Sequence, residues 1–181
     1  MMRGLVLGLL FGAAACLAPR QASAFEREWH IGGGAGITAY PHYYSTGPSF
    51  GINAGYGISD VFDLKLELLG SLHNYQASAN SAEEHGSTYS AAIGPSYKLD
   101  ILQWIPYGAV LVGYKHLAGP IPAGAPFRRD DGLLAVVLGL DYAATRNFGL
   151  GLSLRYDFLL STMDEGQAFT SMLRAEYHWG F

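Results

Sequence analysis

The chain has 181 residues, half of them apolar, with 24 glycines, one cysteine and a formal net charge of −4. That acidity argues against nucleic acid as a partner, since phosphate binding wants basic patches. A lone cysteine supports neither an internal disulfide nor a thiolate metal site.

Met1-Met2-Arg3 is followed by an uncharged run from Gly4 to Pro19 and then by Ala22-Ser23-Ala24. A basic start, a short apolar core and a small-x-small ending predict a secretory signal peptide over 1–24. Ala13-Ala14-Ala15-Cys16 offers a rival lipoprotein site, but Ala13 stands where a bulky aliphatic residue belongs. Cleavage after Ala24 leaves one domain, 25–181, with nine basic residues against 15 acidic and no cysteine. No later stretch has the roughly 18 uncharged apolar residues of a spanning helix.

Beyond the leader the chain reads as strands, because apolar and polar residues alternate with a period of two. Over 27–40, Trp29, Ile31, Ala35 and Ile37 oppose His30, Gly32, Gly34 and Gly36. A turn-rich loop at 41–47 follows. Phe50, Ile52, Ala54, Tyr56 and Ile58 then oppose Ser49, Gly51, Asn53 and Gly55, and a tight connection near Ser59-Asp60 leads on. Phe62, Leu64, Leu66, Leu68 and Leu72 oppose Asp63, Lys65, Glu67, Ser71 and His73, with Leu69 breaking the pattern. Residues 74–87 read as a long polar loop. A fourth strand carries Tyr89, Ala91, Ile93, Pro95 and Tyr97 against Ser90, Ser96 and Lys98, and Pro95 suits a bulge or an edge.

After a short connection at 100–103, Trp104–His116 is apolar on both faces. Val110, Val112 and Tyr114 are assigned to one side, Tyr107, Leu111 and Lys115 to the other. A second long loop covers 117–131. Leu134, Val136, Leu138, Leu140 and Tyr142 then face away from Leu133, Ala135, Val137 and Asp141. A turn at Thr145-Arg146-Asn147 precedes Leu150, Leu152, Leu154 and Tyr156, which oppose Ser153, Arg155 and Asp157. The loop 161–166 leads to the last strand, where Leu173, Ala175, Tyr177, Trp179 and Phe181 alternate with Arg174, Glu176, His178 and Gly180.

Eight strands of about 11–13 residues joined by alternately long and short connections are long enough to cross a bilayer, which takes about 9–11 residues per tilted strand. The apolar faces are too bulky to fill so small a barrel from inside. The expectation is therefore greasy faces outward. A lumen of small residues and paired charges is expected within, built on Lys65, Glu67, Asp141, Arg155, Asp157, Arg174 and Glu176. Aromatic residues near the strand ends would form interfacial girdles.

Pro106-Tyr107-Gly108-Ala109, Gly139-Leu140-Asp141-Tyr142, Thr145-Arg146-Asn147-Phe148-Gly149-Leu150, Leu154-Arg155-Tyr156 and the terminal Tyr177-His178-Trp179-Gly180-Phe181 together resemble the small OmpA/OmpX/OmpW-like outer-membrane β-barrels. The resemblance covers 25–181. It implies an all-β, eight-stranded antiparallel up-and-down transmembrane barrel with no cofactor; the periplasmic peptidoglycan-binding domain of full-length OmpA-like proteins is not expected, a departure from that pattern. It places the chain in the outer membrane of a Gram-negative cell as a monomer among lipid and lipopolysaccharide. It makes Tyr177, Trp179 and Phe181 the C-terminal insertion signal read by the barrel-assembly machinery. It specifies architecture better than activity: a structural or surface-interaction role comes first, a lipid A-modifying enzyme or a narrow solute channel second.

The residues able to carry chemistry are few. His73, His85 or His116 could meet Ser71, Ser87, Asp130 or Asp131 in a His-Ser-acid set, though scattered loop polarity explains them as well. His42, His85 and His116 lack metal-ligand spacing. Gly32-Gly33-Gly34-x-Gly36 has no helix after it and suits a bent or closely packed strand, not a phosphate loop. Arg128-Arg129 beside Asp130-Asp131 reads as a solvated loop with a capacity for lipopolysaccharide phosphate.

Overall fold

A computed structural model describes residues 27–40, 44–75, 84–99, 101, 103–119, 128–162 and 167–180. They form eight strands: β1 (Trp29–Tyr40), β2 (Tyr44–Gly57), β3 (Phe62–Tyr75), β4 (Glu84–Lys98), β5 (Trp104–Ala118), β6 (Asp130–Ala143), β7 (Phe148–Leu159) and β8 (Ala168–Trp179). Each strand pairs antiparallel with the next, and β1 pairs with β8, which closes the barrel. Closure matters because an open edge would leave unpaired backbone groups, which hydrocarbon cannot satisfy.

The period of two becomes an inside and an outside. Leu64, Leu66 and Leu68 are exposed while Lys65 and Glu67 between them are buried. The same holds on β7, where Leu152 and Leu154 flank a buried Ser153, and on β8, where Leu173 is 72% exposed beside a buried Arg174. On β5, Tyr107, Leu111 and Lys115 point in and Val110, Val112 and Tyr114 point out. A continuous apolar exterior of this extent is out of place in water and matches a barrel wall in lipid. Cross-strand aromatic pairs ring the short-turn end: Trp29 with Tyr56 at 4.7 Å, Phe62 with Tyr97 at 5.2 Å and Trp104 with Tyr142 at 4.9 Å. Amphipathic rings belong at such an interface.

The lumen is less polar than the sequence suggests. Ala92, Tyr107, Leu111, Leu133, Val137 and Leu159 form an apolar cluster on the β4–β7 side, because β5 and β6 carry apolar residues on both faces. Leu69, which breaks the alternation of β3, is buried inside, so its break is one of chemistry and not of backbone.

Three expected loops are shorter than predicted. β2 already begins at Tyr44, and Gly47 and Pro48 pair with Thr38 and Ile37. A Cβ on residue 47 would strike the Leu72 carbonyl, so glycine there serves close strand approach and not a turn. In the 74–87 segment, Asn74 and Tyr75 pair with His85 and Glu84, leaving 76–83 between strands. In the 117–131 segment, β5 runs to Ala118 and β6 starts at Asp130. Polar composition does not end a ladder whose bonds are made by backbone. The short connections at 58–61, 99–103 and 144–147 stand where expected. At Pro95 the β4–β5 pairing lapses between Ile93↔Val112 and Ser96↔Ala109 without a change of register, since proline has no N–H to donate.

Candidate functional site

The lumen collects nearly all the buried charge, in three tiers. At the short-turn end, His30 Nε2 lies 3.3 Å from Asp63, which also pairs with Lys98. The rings of His30 and His178 stack at 5.7 Å, and His178 Nδ1 reaches Glu28 at 2.5 Å. Asn53 Nδ2 donates to Glu176 at 2.5 Å, and Arg174 pairs with Glu176 and approaches Asp141 at 4.0 Å.

The middle tier centres on Arg155, which is 2% exposed. Its Nη1 donates to Glu67 at 3.0 Å, its Nε to Asp157 at 2.6 Å and its Nη2 to Ser90 at 3.4 Å. Lys115 donates to the other oxygen of Asp157 at 3.1 Å. Lys65 reaches Glu67 at 3.8 Å and sits 4.5 Å over the Tyr107 ring, with the Arg174 guanidinium 4.9 Å from the same ring. Charges desolvated this deeply are tolerated only when paired and hydrogen-bonded.

The tier nearest the long loops is built mostly of hydroxyls, with the Lys115 ammonium 4.8 Å over the Tyr40 ring. Tyr40 donates to Thr88 at 3.1 Å, Thr88 meets Ser71 at 2.6 Å, and Ser71 meets His73 at 2.7 Å. Thr38 and Thr170 meet at 2.8 Å. Two voids among lumen side chains, one beside His73 and Thr88 and one beside Glu67 and Arg174, hold about 10 Å³ each, room for roughly one water apiece.

Lys65, Glu67, Asp141, Arg155, Asp157, Arg174 and Glu176 thus share one interior, with ion pairs linking Lys65, Glu67, Arg155 and Asp157 and, separately, Asp141, Arg174 and Glu176. Sequence reasoning does not place Lys115 against Asp157, nor His30, His178 and Lys98 around Asp63 and Glu176. Lys98 and His30 are visible on polar faces, but their partners lie on strands far away in sequence. Of the three residues expected to form an insertion signal, Tyr177 and Trp179 stack outward at 6.0 Å, and Phe181 lies outside the described residues.

The candidates for a His-Ser-acid set divide among separate places. His73 and Ser71 meet inside the lumen, buried, so His73 belongs to neither a loop nor the surface. Asp131 turns to Ser161. Asp130 goes outward to His116, 2.6 Å away, and accepts from the Tyr114 hydroxyl. His85 bonds Asn74 at 2.9 Å, and His42 lies outside the described residues. Among the described residues no group of three or more His, Cys, Asp or Glu is arranged to hold a metal ion.

A closed wall that is apolar outside and ionic within defines an integral outer-membrane β-barrel protein. The chain belongs to the outer membrane protein beta-barrel domain family, which matches residues 7–177. Solved structures share the architecture. Ail of Yersinia pestis, solved with the heparin analogue sucrose octasulfate, has 20% identity and a TM-score of 0.60 over 86% of this chain and 100% of its own. OprG of Pseudomonas aeruginosa has 12% identity and a TM-score of 0.65 over 88% and 99%. Neisserial surface protein A has 18% identity and a TM-score of 0.60 over 86% and 98%. At these identities the likeness is one of fold. Comparison with curated proteins finds no similar sequence.

Proposed function

We propose that this protein is a non-enzymatic outer-membrane barrel with a side-chain-filled stem, carrying its interactions on the long-loop end and on its lipid-facing wall. The leader 1–24 is removed, the C-terminal strand delivers the chain to the barrel-assembly machinery, and the monomer contacts lipopolysaccharide. The observation that carries this reading is Arg155, buried between Glu67, Asp157 and Ser90 and so blocking the lumen at mid-height. The test is conductance in planar bilayers of lipopolysaccharide and phospholipid: native protein gives no steady channel. A steady channel altered by Glu67→Gln or Arg155→Met would replace the stem with a narrow solute pore.

The outward His116–Asp130 pair favours a second reading, a lipid A-modifying enzyme, because it sits exposed at the long-loop rim of the outer wall. Purified protein incubated with lipopolysaccharide distinguishes the two. The first reading expects no mass change; loss of an acyl chain that depends on His116 would establish the second.

A further inference from the structure

The outer wall of β2–β5 is not smooth. A groove of about 480 Å³ runs from mid-wall towards the long-loop rim. Its floor exists because two outward positions lack bulk. Beside the groove the outward residues of β3 are Leu66, Leu68, Gly70 and Leu72, and those of β4 are Tyr89, Ala91 and Ile93. Leu68 faces Ala91 and Gly70 faces Tyr89 across the ladder, so the two small residues are diagonal neighbours, one pair apart along it. Phe50, paired with Gly70, and Tyr114, paired with Ala91, rise on either side.

The rim end of the groove is polar. His116, which pairs with Tyr89, holds Asp130 at 2.6 Å, and the Tyr114 hydroxyl donates to the same carboxylate. The Arg129 carbonyl accepts from the Leu117 N–H at 2.7 Å, which fixes Arg129 next to the pair, and its charge acts on Asp130. Arg128 and Arg129 are both exposed.

Below the rim only hydrocarbon can fill such a notch, since the bilayer interior offers no water. At the rim, guanidinium groups present forked donors that match phosphate oxygens. The long loops mark the outer leaflet. We propose that the groove holds one acyl chain of a phosphorylated outer-leaflet lipid of the lipid A type, with Arg128, Arg129 and His116 on its phosphate. This deepens the lipopolysaccharide contact proposed above and rests on it. Sequence alone gives no sign of the site, because Gly70 and Ala91 become diagonal neighbours only through the β3–β4 register.

The test fills the groove without disturbing the wall. A Cβ on residue 70 would meet Tyr89 at 3.6 Å, an ordinary contact, so Gly70→Leu with Ala91→Leu occupies the space where the acyl chain would lie. The full barrel is purified in detergent, incubated with lipid A or with phosphatidylethanolamine, and followed by native mass spectrometry. Native protein should retain one lipid A and little phosphatidylethanolamine. The filled variant should lose at least tenfold in occupancy. Arg128→Glu with Arg129→Glu, which leaves the strand wall untouched, should do the same and is decisive if the filled variant fails to fold. Native occupancy in either folded variant, or equal retention of phosphatidylethanolamine, overturns the groove. Heat-modifiable gel mobility and outer-membrane fractionation of the native protein are read in parallel. Their failure would sink the membrane placement itself, whereas unchanged lipid A occupancy in a folded variant sinks only this site.

Discussion

Tyr107 covers Gly139, its cross-strand partner on β6, so closely that a Cβ on residue 139 would clash with the hydroxyl-bearing edge of the phenol ring. The arrangement recurs: His30 lies over its partner Gly55, Asp141 over Gly151 and Glu176 over Gly32. Each of these bulky or charged lumen residues rests on a glycine of the adjacent strand, which is how so narrow a barrel accommodates them.

Gly139→Val should therefore overpack the lumen and destabilise the barrel by about 1–3 kcal/mol. Urea unfolding in detergent micelles, followed by heat-modifiable mobility, measures it. An unchanged midpoint would show that Tyr107 moves aside at no cost.

Arg155→Met removes the cation shared by Glu67 and Asp157. Leaving buried carboxylates without their partner costs about 3–5 kcal/mol. Lys115 still donates to Asp157 at 3.1 Å, whereas Lys65 approaches Glu67 only to 3.8 Å, so the larger penalty should fall on Glu67. Adding Glu67→Gln to Arg155→Met should then recover part of the stability in the same unfolding assay. A double variant no better than the single one would contradict that coupling.

The wall and the short turns should differ sharply in their tolerance of charge. Leu66 is exposed on the outer wall at mid-strand, and Leu66→Arg should cost about 2–4 kcal/mol in bilayer refolding equilibria. Thr145→Arg, in a short turn, should cost nothing measurable. Equal tolerance at the two positions would mean the wall does not face lipid.

Tyr177 and Trp179 sit outward at the barrel's closing seam, where β8 meets β1. If the assembly machinery reads them, Tyr177→Ser with Trp179→Ser should slow appearance of the folded form in cells several-fold. Unassisted refolding into detergent should be nearly unaffected. Parallel losses in both settings would assign these residues to barrel stability alone.

Strand number, facing and the alternation of long and short connections are legible in the chain because a side-chain period of two carries directly from sequence to pleat. Leu64-Lys65-Leu66-Glu67 marks a wall between two environments whatever the neighbouring strand is. Strand ends are less legible: Gly47-Pro48 and the 84–87 segment have loop-like composition yet join backbone ladders, which composition does not prevent. The lumen residues are recognisable as a set, but their pairings are not, since Glu67 and Arg155 are 88 positions apart.

Alternation, strand length and apolar bulk too great for the lumen are enough, with no coordinates, to make this chain a spanning cylinder with an ionic inside. Which residues meet was settled only when the strands assembled. The register of β3 on β4 sets Gly70 diagonal to Ala91, and closure of β1 on β8 sets His30 beside His178. Alternation says which face a side chain takes, whereas height along the barrel follows from the hydrogen-bonded register between strands, which no single strand encodes.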